Sequence, residues 1–105
     1  MAQFDVHRNL GAHRREIPFV VIVQSQRLDA YRRRLVIPLV AAEAVKAVEP
    51  SLNPSFHIEN LEVVLHPLEM VSIAVDRLGE RVGTLRGEGD RIIAAIDIVI
   101  SRAWK

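Results

Sequence analysis

The residues able to do chemistry are few and thinly spread. His57 and His66 stand nine positions apart with Glu59 and Glu62 between them, the ingredients of a divalent-cation site. A zinc centre needs its ligands returned to one point at recognisable spacings, and these match none, so both histidines are assigned to structure or surface. Ser25, Asp29 and a distant histidine supply the atoms of a nucleophilic triad. No nucleophile elbow surrounds the serine, which is read as a turn residue. Gly79, Gly83, Gly87 and Gly89 have neither the spacing of a phosphate loop nor the Lys-Ser/Thr that ends one. Without cysteine there is no thiolate metal site and no disulfide. No catalytic residue, metal site or cofactor motif emerges from these residues.

Charge gives a second candidate. The formal balance is only +1, from 14 basic and 13 acidic residues, which argues against non-specific nucleic-acid binding, and no direct specific nucleic-acid binding by the chain alone is expected. The distribution is less even, since Arg27, Arg32, Arg33 and Arg34 crowd a stretch with one acid, Asp29. Twelve of the 14 cations are arginine, which fits either a compositional bias or a guanidinium patch for an acidic partner or a phosphate. The third candidate is the tail, where Asp90 to Lys105 is a run of isoleucine and valine broken by Asp97 and ending in the sole tryptophan, Trp104. A tail of this kind is expected to dock rather than fray, and a buried indole is a frequent interface anchor.

The elements that must position these residues are mostly strands. Phe4–His7 opens the chain, and Pro18–Ser25 is a β-branched run expected to be buried on both faces for part of its length. Leu35–Leu39 is strand-like, with Pro38 expected to push it to an edge or a strand end. Val40–Val48 suits one or two helical turns. Pro54–Ile58 and Leu61–Leu65 flank Glu59-Asn60 as a hairpin with a two-residue turn. Met70–Val75 and Arg81–Leu85 follow, the latter as an edge. Asp90 is placed as a helix N-cap. Period alone does not separate helix from strand over Ile92–Ile100, but the cap and Ala94-Ala95 favour a helix, apolar on most of its circumference and so covered by a second molecule. No apolar run approaches the roughly 18 residues of a membrane span, and no signal peptide is recognisable, so a single cytoplasmic domain over residues 1–105 is expected.

Several of these residues, in order, resemble the CcdB toxins of plasmid and chromosomal toxin–antitoxin modules. They are Gln3-Phe4-x-Val6, Phe19-Val-x-Ile-Val-Gln-Ser25, Asp29, Arg33-Arg34, Val36-Ile-Pro-Leu39, Pro54, His57-Ile58, Met70, Ser72, Val75, Gly79-Glu80-x-Val82 and Ala95-Ile96. The resemblance implies a mainly β, small SH3-like or CcdB-type barrel of antiparallel strands, with a second small sheet and a C-terminal α-helix. It also implies a homodimer, a cognate CcdA-like antitoxin that folds on binding, and poisoning of DNA gyrase through its A subunit without catalysis.

By the same resemblance the gyrase-binding residues are Ser25, Arg27, Leu28, Asp97, Ile100, Ser101, Arg102, Ala103 and Trp104, and the antitoxin-binding residues Val63, His66 and Met70. The sequence departs from the family at most of them. The family's terminal Trp-Gly-Ile becomes Ser101-Arg102-Ala103, with Trp104 three residues, nearly one helical turn, after the family's tryptophan position. Its paired isoleucines become Arg27 and Leu28, its helix asparagine Asp97, and the tryptophan and methionine of its antitoxin face Val63 and His66. Two alternatives follow. One is an endoribonuclease toxin of the same fold, with Arg32 to Arg34 and His57 handling phosphate. The other is a non-toxic relative that only binds antitoxin.

Overall fold

The computed structural model describes residues 2–46 and 48–101. Each strand expected from the sequence is present, Leu61–Leu65 with the expected bounds and the others with shifted ends. In chain order they are β1 (Asp5–Arg8), β2 (Phe19–Ile22), β3 (Arg33–Ala41), β4 (Ser55–Ile58), β5 (Leu61–Leu65), β6 (Val71–Ala74) and β7 (Arg81–Thr84), followed by helix α1 (Gly89–Ile100). All pairings are antiparallel, and the path runs β4-β5-β3-β2-β1-β7. The smaller second sheet takes the form of a branch, with β6 pairing the first half of β3.

The sheet curls, and one side chain records it. Arg8 on β1 bonds Glu80, just before β7, at 3.1 Å and reaches Glu59, in the β4–β5 turn at the far end of the path, at 2.7 Å. Only a strongly bent sheet brings those strands within one guanidinium's reach. The Glu80 and Glu59 carboxylates also raise the pKa of Arg8.

Alternation sorts the strands into two cores. Phe19, Val21 and Val23 point with Ile37, Leu39, Phe56, Ile58, Val63 and Leu65 into the main core, which Ile92 and Ala95 of α1 close. Val20, Ile22 and Val36 point the other way and are covered by Ile73 and Leu78. The unbroken apolar run of β2 is thus buried on both faces, as its composition requires. Asp5 is buried on β1. Burial alone would raise its carboxyl, but the Ala2 N–H and the Arg81 guanidinium, at 3.0 Å, outweigh that and hold its pKa below the usual value.

The β4–β5 turn behaves as its two-residue length dictates. Glu59 and Asn60 both take positive φ, 51° and 67°, the pair of left-handed residues that matches strand twist in a tight hairpin. Three expectations need correction. Pro38 lies inside the nine-residue β3, paired with Val20, not at an edge or strand end. Its carbonyl accepts the His66 N–H, so the missing Pro38 N–H faces the same side, at the gap between the β6 and β5 pairings, where no ladder bond is lost. The helical turns expected over Val40–Val48 reduce to a 3₁₀ turn at Ala42–Ala44, because Val40 and Ala41 pair with Val64 and Val63. Asp90 is not the N-cap; Glu88 holds that place, and Asp90 sits in the first helical turn, where a carboxylate still complements the helix dipole.

Candidate functional site

The residues expected to meet a target fall on two structures with different supports. The first is the β2–β3 loop. Ser25 caps a 3₁₀ turn over Gln26–Leu28, its hydroxyl accepting the Arg27 N–H at 3.2 Å and its carbonyl the Leu28 N–H at 3.0 Å. Ser25 therefore shapes the loop, while Arg27 and Leu28 project from it, the latter 44% exposed.

Two side chains that sequence reasoning passed over or misplaced hold this loop. Gln24 spans its base, donating to the Arg33 carbonyl at 3.1 Å and accepting the Leu35 N–H at 3.0 Å. Arg34 is buried, and its guanidinium donates to the carbonyls of Tyr31 (2.6 Å), Arg33 (3.0 Å) and Asp29 (3.1 Å). The expected guanidinium patch thus divides: Arg27, Arg32 and Arg33 face solvent, whereas Arg34 is an internal clamp. The signal was available, since Arg34 shares strand parity with the buried Val36.

The second structure is the end of α1. The helix packs on the 3₁₀ turns at Pro67–Glu69 and Arg86–Glu88. Ile92 is fully buried, whereas Ile93 and Ile100 on the outer face are exposed, Ile100 by 62%. Asp97 and Ser101 also occupy exposed positions, and the Ser101 N–H closes the helix on the Asp97 carbonyl at 2.8 Å. Arg102, Ala103 and Trp104, including the proposed anchor, lie outside the described residues.

The antitoxin candidates are only partly at the surface. Val63 has no exposure at all and belongs to the main core, so it can support such a face but not form it. His66 and Met70 are half-buried, and Met70 packs against that core. His57 is exposed on β4 opposite Glu62, whereas Arg33 pairs with Ala74 on β6, so the ladder does not bring His57 to the arginines. Among the described residues, no group of three or more histidine or carboxylate side chains is arranged to hold a metal, and no helix is long and apolar enough to cross a membrane.

Comparison with known proteins places this geometry. The family model described as CcdB protein matches residues 3–101. No curated protein matches the chain significantly. Among solved structures the fold is similar to that of an endoribonuclease in complex with its cognate antitoxin from Mycobacterial species. That likeness has a TM-score of 0.77 at 14% identity and covers 100% of this chain and 99% of that one. It corrects one expectation. The family resemblance implies a protein that is not an enzyme, and the residues show no catalytic constellation, yet an endoribonuclease is built on this same fold.

Proposed function

The chain belongs to the CcdB family, and on that premise we propose that it is the toxin of a type II toxin–antitoxin module, neutralised by a cognate CcdA-like antitoxin. Its proposed target is the A subunit of DNA gyrase, met by the Arg27-Leu28 loop and the Ile100-Ser101 end of α1. The observation that carries this reading is the family match across nearly the whole chain, joined to large apolar side chains left in water at both places. Leu28 and Ile100 gain nothing from solvent and are suited to desolvation against a partner. The exposed outer face of α1 also suits the homodimer expected for the family. Induction of the chain in cells, with and without its neighbouring antitoxin gene, provides the test. Growth arrest relieved by the antitoxin, with gyrase trapped on cleaved DNA, is the expected result; arrest without trapped gyrase refutes the target.

A second reading has its own support in the endoribonuclease that shares the fold. Under it the toxin cuts RNA, and arrest is accompanied by fragmentation of cellular RNA. Purified protein incubated with total RNA and run on one gel separates the two targets.

A further inference from the structure

We propose that the cleft between the loop after β1 and the end of β6 binds the sugar–phosphate backbone of single-stranded RNA, with Tyr31 beside it as a base-stacking platform. The inference gives a location to the second reading above and rests on it only for the choice of ligand. The cleft encloses about 530 Å³, within the range of ordinary ligand sites, and Asn9, Arg33, Ser72, Asp76 and Arg77 are among its lining residues. A recess of about 400 Å³ that shares Ala74 and Asp76 with it adds Arg32.

Three guanidinium groups therefore border one continuous surface against a single carboxylate, although the whole chain is almost neutral. Arg33 is aimed in advance. Its Nε donates to the Ser72 hydroxyl at 2.7 Å and its Nη2 to the Ser72 carbonyl at 2.8 Å. Arg32, Arg77 and Asp76 are exposed, and among the described residues none of their side chains has a hydrogen bond or ion pair. Uncommitted arginines beside a fixed one suit successive phosphates.

The carboxylate selects the kind of strand. Asp76 repels phosphate but is an acceptor for a ribose 2′-hydroxyl, the group that distinguishes RNA from DNA. Arg33 also borders a second hollow, with Gln24, Leu28 and Tyr31. Tyr31 is 66% exposed, which leaves its ring face open to a stacked base. A phosphate at Arg33 with its base on Tyr31 joins the two hollows into one track.

The test uses the full chain, free of antitoxin, and a fluorescent single-stranded RNA octamer, read by anisotropy over a series of salt concentrations. Three arginine–phosphate contacts predict a slope of log affinity against log salt of about −2. Arg77→Ala and Arg32→Ala should each make that slope shallower by roughly 0.7 and leave the unfolding midpoint unchanged. Tyr31→Leu should weaken binding roughly tenfold. The matching DNA octamer should bind more weakly, and Asp76→Ala should narrow that preference. Absence of saturable binding at low salt overturns the proposal, as does binding that these variants leave untouched. Equal affinity for DNA overturns the assignment to RNA. Binding without cleavage of the octamer removes the ribonuclease reading and supports the site; cleavage that the variants do not affect puts the chemistry elsewhere and overturns it.

Discussion

The orientation of α1 is the feature most open to a quantitative check. Ile92 is fully buried in the main core, while Ile100, two turns on, is 62% exposed. Truncating Ile92 to alanine removes buried methyl groups and leaves a hole, at a cost of about 2–5 kcal/mol. A loss of ~3 kcal/mol is a large share of the stability of a domain this size and corresponds to a fall in Tm of roughly 12–24 °C. Ile100→Ala should stay within about 0.5 kcal/mol of the parent, because its side chain is already largely hydrated. Thermal unfolding followed by circular dichroism, at two protein concentrations, measures both. A destabilisation of Ile100→Ala that grows with protein concentration assigns that residue to contact with a second copy. A loss as large as that of Ile92→Ala and independent of concentration refutes the orientation, and with it the use of this face for any target.

Three further outcomes follow from other contacts. In Gly79→Ala the new Cβ would lie 2.6 Å from the Arg8 backbone carbonyl, which cannot yield without disturbing β1, so destabilisation by about 1–3 kcal/mol is expected in urea unfolding; Gly83→Ala, with open space around it, is the control. Asn60→Gly removes the steric cost of a positive φ in the hairpin and should stabilise by up to about 1 kcal/mol; a lower urea midpoint would count against the turn geometry. The Asp5 carboxyl has a folded pKa below its ordinary 3.8, so its stabilisation is present above that pH and disappears as pH falls through the folded value. Asp5→Asn should therefore flatten the acid limb of a stability–pH curve, and an unchanged limb would contradict the Ala2 and Arg81 contacts.

Much of the fold was legible because period-2 burial leaves a direct trace. The run Phe19–Ile22 declared a strand covered on both sides, and the two-residue spacing at Glu59-Asn60 declared the hairpin. The misplaced elements were those decided by non-local partners. Pro38 disqualifies a strand from a sheet interior only if a neighbour demands its N–H, and the sequence does not show that β6 and β5 divide that edge between them. Val40 and Ala41 have acceptable helix propensity, yet pairing with β5 overrides it. The site was less legible still. Spacing grouped four arginines into one patch, whereas strand parity sends Arg34 inward to hold the loop and leaves Arg33 on the face with Ser72.

That division bears on function. The core alternation that makes this chain recognisable builds the curled sheet, and an endoribonuclease with 14% identity builds the same sheet. Core positions therefore say little about the target, because they are constrained by packing shared across the fold. The discriminating residues lie where the ladder imposes nothing: Arg27 and Leu28 on the loop, Arg32 and Tyr31 beside it, Asp76 and Arg77 after β6, and the outer face of α1. Arg34 and Gln24 connect these to the scaffold, since both fix the β2–β3 loop by bonds to its backbone. Arg34→Met would keep the volume of the buried stem while releasing three carbonyls, and should loosen the loop more than the sheet. Hydrogen exchange confined to residues 26–33 would then accompany loss of activity against whichever target is the true one. Protection lost throughout β2 and β3 would show instead that loop and sheet fold as one unit, and that target choice is not separable from stability.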